Sequence, residues 1–407
     1  MTTNTLIDRT DVADSPSTAS TASTADGDPC AERTEDRHQR VMRNAKRVLA
    51  RPSATVSLRE RLSSLIEQGP TVYDLSSSPD TYGDGVVADL EKRVADLLGK
   101  EDAAFFPTGT MAQQVALRCW AERTGSKQVA LHPLSHPEVF EANAFRTVSD
   151  LHPVRTTGAP RHPTAEEIRE IPERFGALML ELPMRDAGYL LPTWEELVAV
   201  THAARERDAI VHFDGARLWE CTAHFGRSLA EIAALADTVY VSFYKSLDGL
   251  SGAALAGPHS LIAETRIWRH RYGGRVFQQF PAALAALIGL DRELPRLSEY
   301  VAQTHMVASA MADGFRDAGL GWFKVLPEKP HTLQFQAWLP FPAESLVEAA
   351  ARQAEETGVA VFQMPWWEPG LPPGIALTEV TVGAASLDWT PGDVREAVMD
   401  FVRRIEA

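Results

Sequence analysis

VYVSFYKSLDGLSGA, residues 239–253, is the stretch on which the fold turns. Its apolar, β-branched and aromatic start has the texture of a strand buried on both faces, and it gives out just before a lone lysine, Lys245. Ser246 and Gly249 follow, so the lysine stands past the carboxyl end of a strand and not on a helix face. Working outward, AIVHF (209–213) is a second such run and stops at Asp214; GALMLEL (176–182) is a third. AAFF (103–106) is a fourth, and it runs into the turn PTGT (107–110). Helical texture lies between them. Val87, Leu90, Val94, Leu97 and Leu98 recur at helical spacing with Gly99 at the stop position, and a helix is expected over 111–120. Thr193 with Glu196 forms a capping box ahead of WEELVAVTHAARER (194–207). Short apolar strands separated by helices predict an α/β fold, a mostly parallel sheet covered on both faces. Ligands of such sheets sit beyond the carboxyl ends of the strands, which is where Lys245, Asp214 and the 108–110 turn fall.

The flanks read differently. Residues 1–36 are rich in Ser, Thr, Ala and Asp and are expected as a disordered tail, because they carry too little apolar surface to offset the entropy of ordering. A basic helical stretch is expected over 38–50, within a large domain that spans 37–290. After a long helical region over 281–315 come HTLQFQAWL (331–339), a helix over 343–356, VAVFQM (359–364), TEVTVGA (378–384) and a last helix over 391–406. That pattern predicts a small α+β domain at 291–407.

Composition excludes several classes. The chain has 407 residues, is 44% hydrophobic and 23% charged, and carries a formal charge of -15, which opposes nucleic-acid binding because that needs a basic surface. No apolar run reaches the roughly 20 residues of a membrane-spanning helix, and the first residues lack the order of a signal peptide. Cys30, Cys119 and Cys221 form neither a metal-like cluster nor a disulfide framework, so a cytoplasmic protein without a metal is expected.

Four places carry chemistry. Lys245 is placed where a buried amine would form a Schiff base, although a lysine alone reads more simply as a surface residue. A buried Asp214 would keep the ring nitrogen of a pyridoxal cofactor protonated; alone it reads as a turn aspartate before glycine. Thr108, Gly109 and Thr110 between a strand and a helix make an anion site, or an ordinary capped turn. His136, in HPLSHPEVFE (132–141), offers an imidazole to stack on a ring or move a proton, or a structural histidine.

Taken together, three segments resemble the threonine-aldolase branch of the β-eliminating lyase family. They are YGDGVVADLEKRVADLLGKEDAAFFPTGTMA (82–112), HFDGARLWE (212–220) and the opening stretch, and their order and spacing agree from about residue 82 to about residue 290. The resemblance implies fold type I of the pyridoxal-phosphate-dependent transferases: a large domain with a mostly parallel seven-stranded sheet, and a small C-terminal α+β domain. It implies pyridoxal 5'-phosphate held as an aldimine on Lys245, with Asp214 on the ring nitrogen. Thr108, Gly109 and Thr110 would lie on the phosphate, Arg217 at the ring-hydroxyl side and His136 on the ring face. Tyr82 would lie near the substrate, reaching in from a neighbouring subunit, so a homodimer or homotetramer with shared active sites is implied. The activity implied is cleavage of Cα–Cβ, or β-elimination, in a β-hydroxy or other β-substituted amino acid. Alternatives are an aminotransferase or decarboxylase acting on another amine, and a catalytically idle homologue kept for binding or assembly. A nicotinamide enzyme is set aside, since no GxGxxG follows an early strand.

Departures from the family pattern are specific. In ELPMRDAGY (181–189), Met184 stands where the family has a candidate histidine base. The family's late, carboxylate-gripping arginine falls at Val382. In YGGRVFQQ (272–279), Arg275 is displaced by two positions, and His270 occupies the place of a nearby lysine. Arg185 and Arg275 are therefore the candidates to hold a substrate carboxylate, with His136 as the remaining base.

Overall fold

The computed structural model describes residues 29–50, 56–370 and 372–405, and side chains from residue 37 onward. Residues 1–28 of the expected tail lie outside the described residues, and 29–36 belong to helix α1 (Pro29–Asn44). The basic stretch expected as helix to residue 50 stops at Asn44 and continues as a short strand, β1 (Arg47–Val48). Helix α2 (Leu58–Gln68) starts at a capping box between Ser57 and Glu60, and none of its residues is buried. Helix α3 (Val86–Leu98) buries Val87, Leu90, Val94 and Leu98 and ends at Gly99, whose φ of 60 is the left-handed turn that glycine adopts without a Cβ clash.

Seven strands then build the main sheet: β2 (Asp102–Phe106), β3 (Gln128–Leu131), β4 (His152–Arg155), β5 (Ala177–Glu181), β6 (Ile210–Gly215), β7 (Thr238–Ser242) and β8 (Ala253–Gly257). Their order is β2-β8-β7-β6-β5-β3-β4. Every ladder is parallel except the two made by β8, so six strands point one way and β8 runs against them. Strands β5, β7 and β8 are buried at every residue, as strands covered on both faces require. The covering helices include α4 (Gly109–Thr124), the short α5 (His136–Val139), α6 (Trp194–Glu206), α7 (His259–Arg271) and α8 (Phe280–Arg292). This is the expected α/β architecture.

The single long helix expected over 281–315 is two. Helix α8 ends before a 3-10 turn at Leu294–Arg296, and α9 (Leu297–Asp317) begins after it. Pro295 explains the break, since it has no N–H to extend α8. The smaller part follows with β9 (Lys324–Leu326), β10 (Gln334–Leu339), α10 (Ala343–Thr357), β11 (Val359–Ala360), β12 (Ala376–Thr381) and α11 (Pro391–Ile405). Strands β12-β10-β9 form an antiparallel sheet, while β11 pairs in parallel with β1. Two cores result. Leu90, Phe105, Leu178, Phe213, Trp219 and Phe243 belong to the first, and α9 adds Leu297 and Tyr300 to it. Phe315, Phe335, Phe362, Trp366 and Phe401 belong to the second, joined by Val41, Met42, Val48 and Leu49 from the start of the described chain. No helix among the described residues is long and apolar enough to cross a membrane.

Candidate active site

The turn after β2, the loop after β3, the last residues of β5 and β6 and the loop after β7 all lie at the carboxyl ends of strands that share one direction. Lys245 sits in the last of these. It is half-buried, and among the described residues its amine has no hydrogen bond or ion pair; Nζ lies 5.0 Å from the centre of the Tyr244 ring. Burial, then the positive fields of Arg217 and Arg185, push it down to about 8, against the opposing pull of Asp214 and Glu379.

Asp214 lies one strand over, near the end of β6, and is buried. Its Oδ1 accepts the N–H of Ala216 at 3.2 Å. Burial raises its carboxyl, and the charge of His136 with hydrogen bonds from Ala216 and Gln113 only partly offsets that. Glu181 is its register partner on β5, so two buried carboxylates stand side by side at neighbouring strand ends. Glu181 accepts the backbone N–H of His136 at 2.7 Å and that of Arg185 at 3.2 Å, and its carboxyl is raised by burial first and by Asp214 second. Sequence reading passed over Glu181; the signal was a carboxylate in an otherwise apolar strand, GALMLEL.

His136 opens α5, with Nδ1 3.1 Å from Oε1 of Glu141 and its ring 5.3 Å from that of Phe140. Burial opposes its charge, but Glu141, Asp214 and Glu181 outweigh that and raise it above its ordinary value. Arg217 is half-buried over the ring of Tyr189 at 5.1 Å, and its Nε is buried without a hydrogen-bond partner among the described residues. Arg185 grips Glu379 of β12 with two nitrogens, Nη2 to Oε2 at 3.0 Å and Nε to Oε1 at 2.7 Å, and lies 4.9 Å from the centre of the Phe140 ring. Glu379 is a second residue that sequence reading did not single out.

At the turn after β2, the Thr108 side chain caps α4 by accepting the N–H of Met111 at 3.2 Å. The N–H groups of Gly109 and Thr110 belong to the first turn, which has no intrahelical acceptors, so they are available to an anion. A Cβ at Gly109 would overlap the hydroxyl of Tyr240, so this position needs glycine for closeness rather than for φ.

The remaining candidates lie elsewhere. Tyr82 is 45% exposed, its N–H donates to the carbonyl of Phe277 at 2.8 Å, and the guanidinium of Arg275 lies 4.9 Å from its ring centre. This is a cluster of its own; among the described residues no hydrogen bond, ion pair or ring contact ties it to Lys245, Asp214 or His136. Met184 is buried and bridges to Leu190, so no imidazole stands there. Val382 is buried and lines a cavity of about 430 Å³, which Lys245, Arg61 and Arg292 also line.

The donor set fits pyridoxal phosphate. An unpartnered amine of lowered basicity suits its aldehyde, a buried carboxylate its ring nitrogen, and a helix start that admits no Cβ its phosphate.

Comparison with known proteins points the same way. A family model described as beta-eliminating lyase matches residues 54–324. The low specificity L-threonine aldolase of Escherichia coli (strain K12) is 31% identical over 247 residues, 59% of this chain and 72% of that protein. The solved structure of a putative L-allo-threonine aldolase from Listeria monocytogenes EGD-E matches at a TM-score of 0.80 with 31% identity, over 91% of this chain and 99% of the other. A putative aromatic amino acid beta-eliminating lyase/threonine aldolase from Exiguobacterium sp. 255-15 matches at 0.79 with 32% identity, again over 91% and 99%.

Proposed function

This chain belongs to the β-eliminating lyase family and is a pyridoxal-phosphate-dependent lyase of β-hydroxy amino acids; from that premise we propose which of its residues do the work. The observation that carries the assignment is Lys245: a half-buried amine with no hydrogen bond or ion pair among the described residues, one strand from a buried aspartate. Bound pyridoxal phosphate supplies an electron sink for the pair released when a bond at Cα breaks.

Lys245 attaches the cofactor, and its lowered basicity, about 8, makes the neutral amine accessible just above neutral pH. Asp214 holds a proton on the ring nitrogen. The Gly109 and Thr110 N–H groups and the Thr108 and Thr110 hydroxyls take the phosphate. Arg217 donates at the ring-hydroxyl side, and His136 covers a ring face. With Met184 at the family's histidine position, His136 is also the group that accepts the substrate hydroxyl proton, its charge tuned by Glu141. Arg185 meets the substrate carboxylate, and Tyr82 and Arg275 complete a site from their exposed position. The grip of Arg185 on Glu379 also favours a second reading, a decarboxylase or aminotransferase acting on another amine, since it leaves that guanidinium engaged.

The same proposal includes a division at residue 290 between cofactor-binding and smaller domains, and a homodimer or homotetramer with shared sites. Leu58, Leu62 and Ile66 on α2 are exposed, as are Phe277 and Phe280, a surface suited to a second copy. A cytoplasmic location accords with the free thiols of Cys119 and Cys221.

The test is reduction with borohydride after adding the cofactor, then peptide mass mapping. Mass added at Lys245 is expected, with release of aldehyde and glycine from threonine or another β-hydroxy amino acid. A protein that stays colourless and unmodified at Lys245 removes the assignment. Cofactor on Lys245 with no aldehyde from any β-hydroxy amino acid would direct the search to the second reading.

A further inference from the structure

A line of buried polar side chains runs behind the site and ends on Asp214. Trp120 Nε1 donates to Thr238 Oγ1 at 3.0 Å; His212 Nδ1 lies 2.8 Å from the same oxygen, and His212 Nε2 lies 2.7 Å from Gln113 Oε1. Gln113 also acts on Asp214, its side chain helping to lower that carboxyl against the larger effect of burial. Thr238 and His212 are 0% exposed, Gln113 1% and Asp214 2%, so water does not compete for these groups.

Donor and acceptor rules fix the direction of every bond. The Gln113 oxygen can only accept, so His212 donates from Nε2; the neutral ring then accepts the Thr238 hydroxyl hydrogen at Nδ1, while Thr238 accepts the indole N–H. The Gln113 NH2 is then the group that faces Asp214, and it satisfies a carboxylate. Running the chain backwards would turn the Gln113 oxygen onto Asp214, two acceptors face to face unless Asp214 holds a proton. Burial pushes His212 down to about 3, which keeps it neutral as the relay requires.

We propose that Trp120, Thr238, His212 and Gln113 act as a fixed-polarity relay that orients the Asp214 carboxylate and keeps it ionised, and so holds the proton on the ring nitrogen of bound pyridoxal phosphate. Gln113 is the positioning residue; the others set which way its amide points. This rests on the cofactor assignment made above. A buried polar network kept only to satisfy the core would support the fold without touching that proton.

The discriminating experiment is 15N NMR of the full-length protein loaded with pyridoxal phosphate labelled at the ring nitrogen. Wild-type protein is expected to give the signal of a protonated nitrogen. Gln113→Leu removes the donor on Asp214; the signal moves towards the unprotonated position, and cofactor affinity falls about tenfold, the worth of one charge-assisted bond. Thr238→Val cuts the relay two bonds away and shifts the signal less in the same direction, while Thr238→Ser restores it. Should Gln113→Leu not fold, the valine and serine pair decides the matter. An unchanged nitrogen signal in folded Thr238→Val and Gln113→Leu protein overturns the relay alone. Wild-type protein that takes up no cofactor overturns the Lys245 assignment, and the relay with it.

Discussion

Lys245 illustrates how far a single residue can be read. Its place just past an apolar run was visible in the sequence, but its lowered basicity was not, because that depends first on burial and then on Arg217 and Arg185 reaching it from other loops. Free enzyme should take up pyridoxal phosphate at a rate that rises with pH and levels off above about 8, as the amine loses its proton. Stopped-flow absorbance at a series of pH values measures this; a midpoint near that of ordinary lysine contradicts the described environment. Gly109 is a second case. Glycine in PTGT was legible as a turn, yet the reason for it is the hydroxyl of Tyr240, a residue of β7 that no local pattern connects to it. Gly109→Ala should destabilise the protein by about 1–3 kcal/mol through overpacking, measured by denaturant unfolding. Tyr240→Phe should recover only part of that, since the ring carbon behind the hydroxyl is also close.

The loop that follows β5 shows why elements were harder to foresee than residues. It carries Arg185 and Tyr189, and three histidines from three places hold it. His162 Nε2 meets the Leu190 carbonyl at 3.1 Å, Leu191 N–H donates to His331 Nδ1 at 2.9 Å, and His224 Nε2 meets the Pro192 carbonyl at 2.9 Å. The rings of His224 and His331 lie 4.2 Å apart. Strands announce themselves by composition, whereas a clamp made across the fold has no local signature. Burial, then His224, His162 and His305, push His331 from 6.5 down to about 4. Its folded value lies below its unfolded one, so its contribution is complete above pH 6.5 and is lost as pH falls towards 4. Protonation also turns the acceptor for Leu191 N–H into a donor. The melting temperature should therefore drop from pH 6.5 to pH 4, and less steeply in His331→Asn, which keeps an acceptor that does not titrate. Parallel slopes in scanning calorimetry would count against this account.

Across the whole molecule, the order of strands was not legible, and with it went the pairing of Glu181 beside Asp214 and of Arg185 with Glu379. The class of sheet was legible, because strands β5 and β7 are mostly apolar, as strands buried along their whole length require. The Arg185–Glu379 pair joins the loop after β5 to the smaller sheet. Glu379→Gln should cost about 1–3 kcal/mol, discounted for a partly exposed arginine. It should also tighten binding of an amino-acid carboxylate by freeing the guanidinium; titration calorimetry with glycine and the holoprotein reads this, and weaker binding would remove Arg185 from the substrate site. The exposed apolar face of α2 predicts that Leu62→Glu with Ile66→Glu yields a monomer, measured by analytical ultracentrifugation. One further consequence comes from the pairing of β1 with β11 and the packing of Val41, Met42, Val48 and Leu49 against Phe335, Phe362 and Phe401. A ribosome makes the first of these long before the last. The main sheet has all its strands once Gly257 is made, whereas this second core lacks α11 until Ile405 is made. During that interval these apolar residues lack their full native cover, so the nascent chain is open to mispairing there.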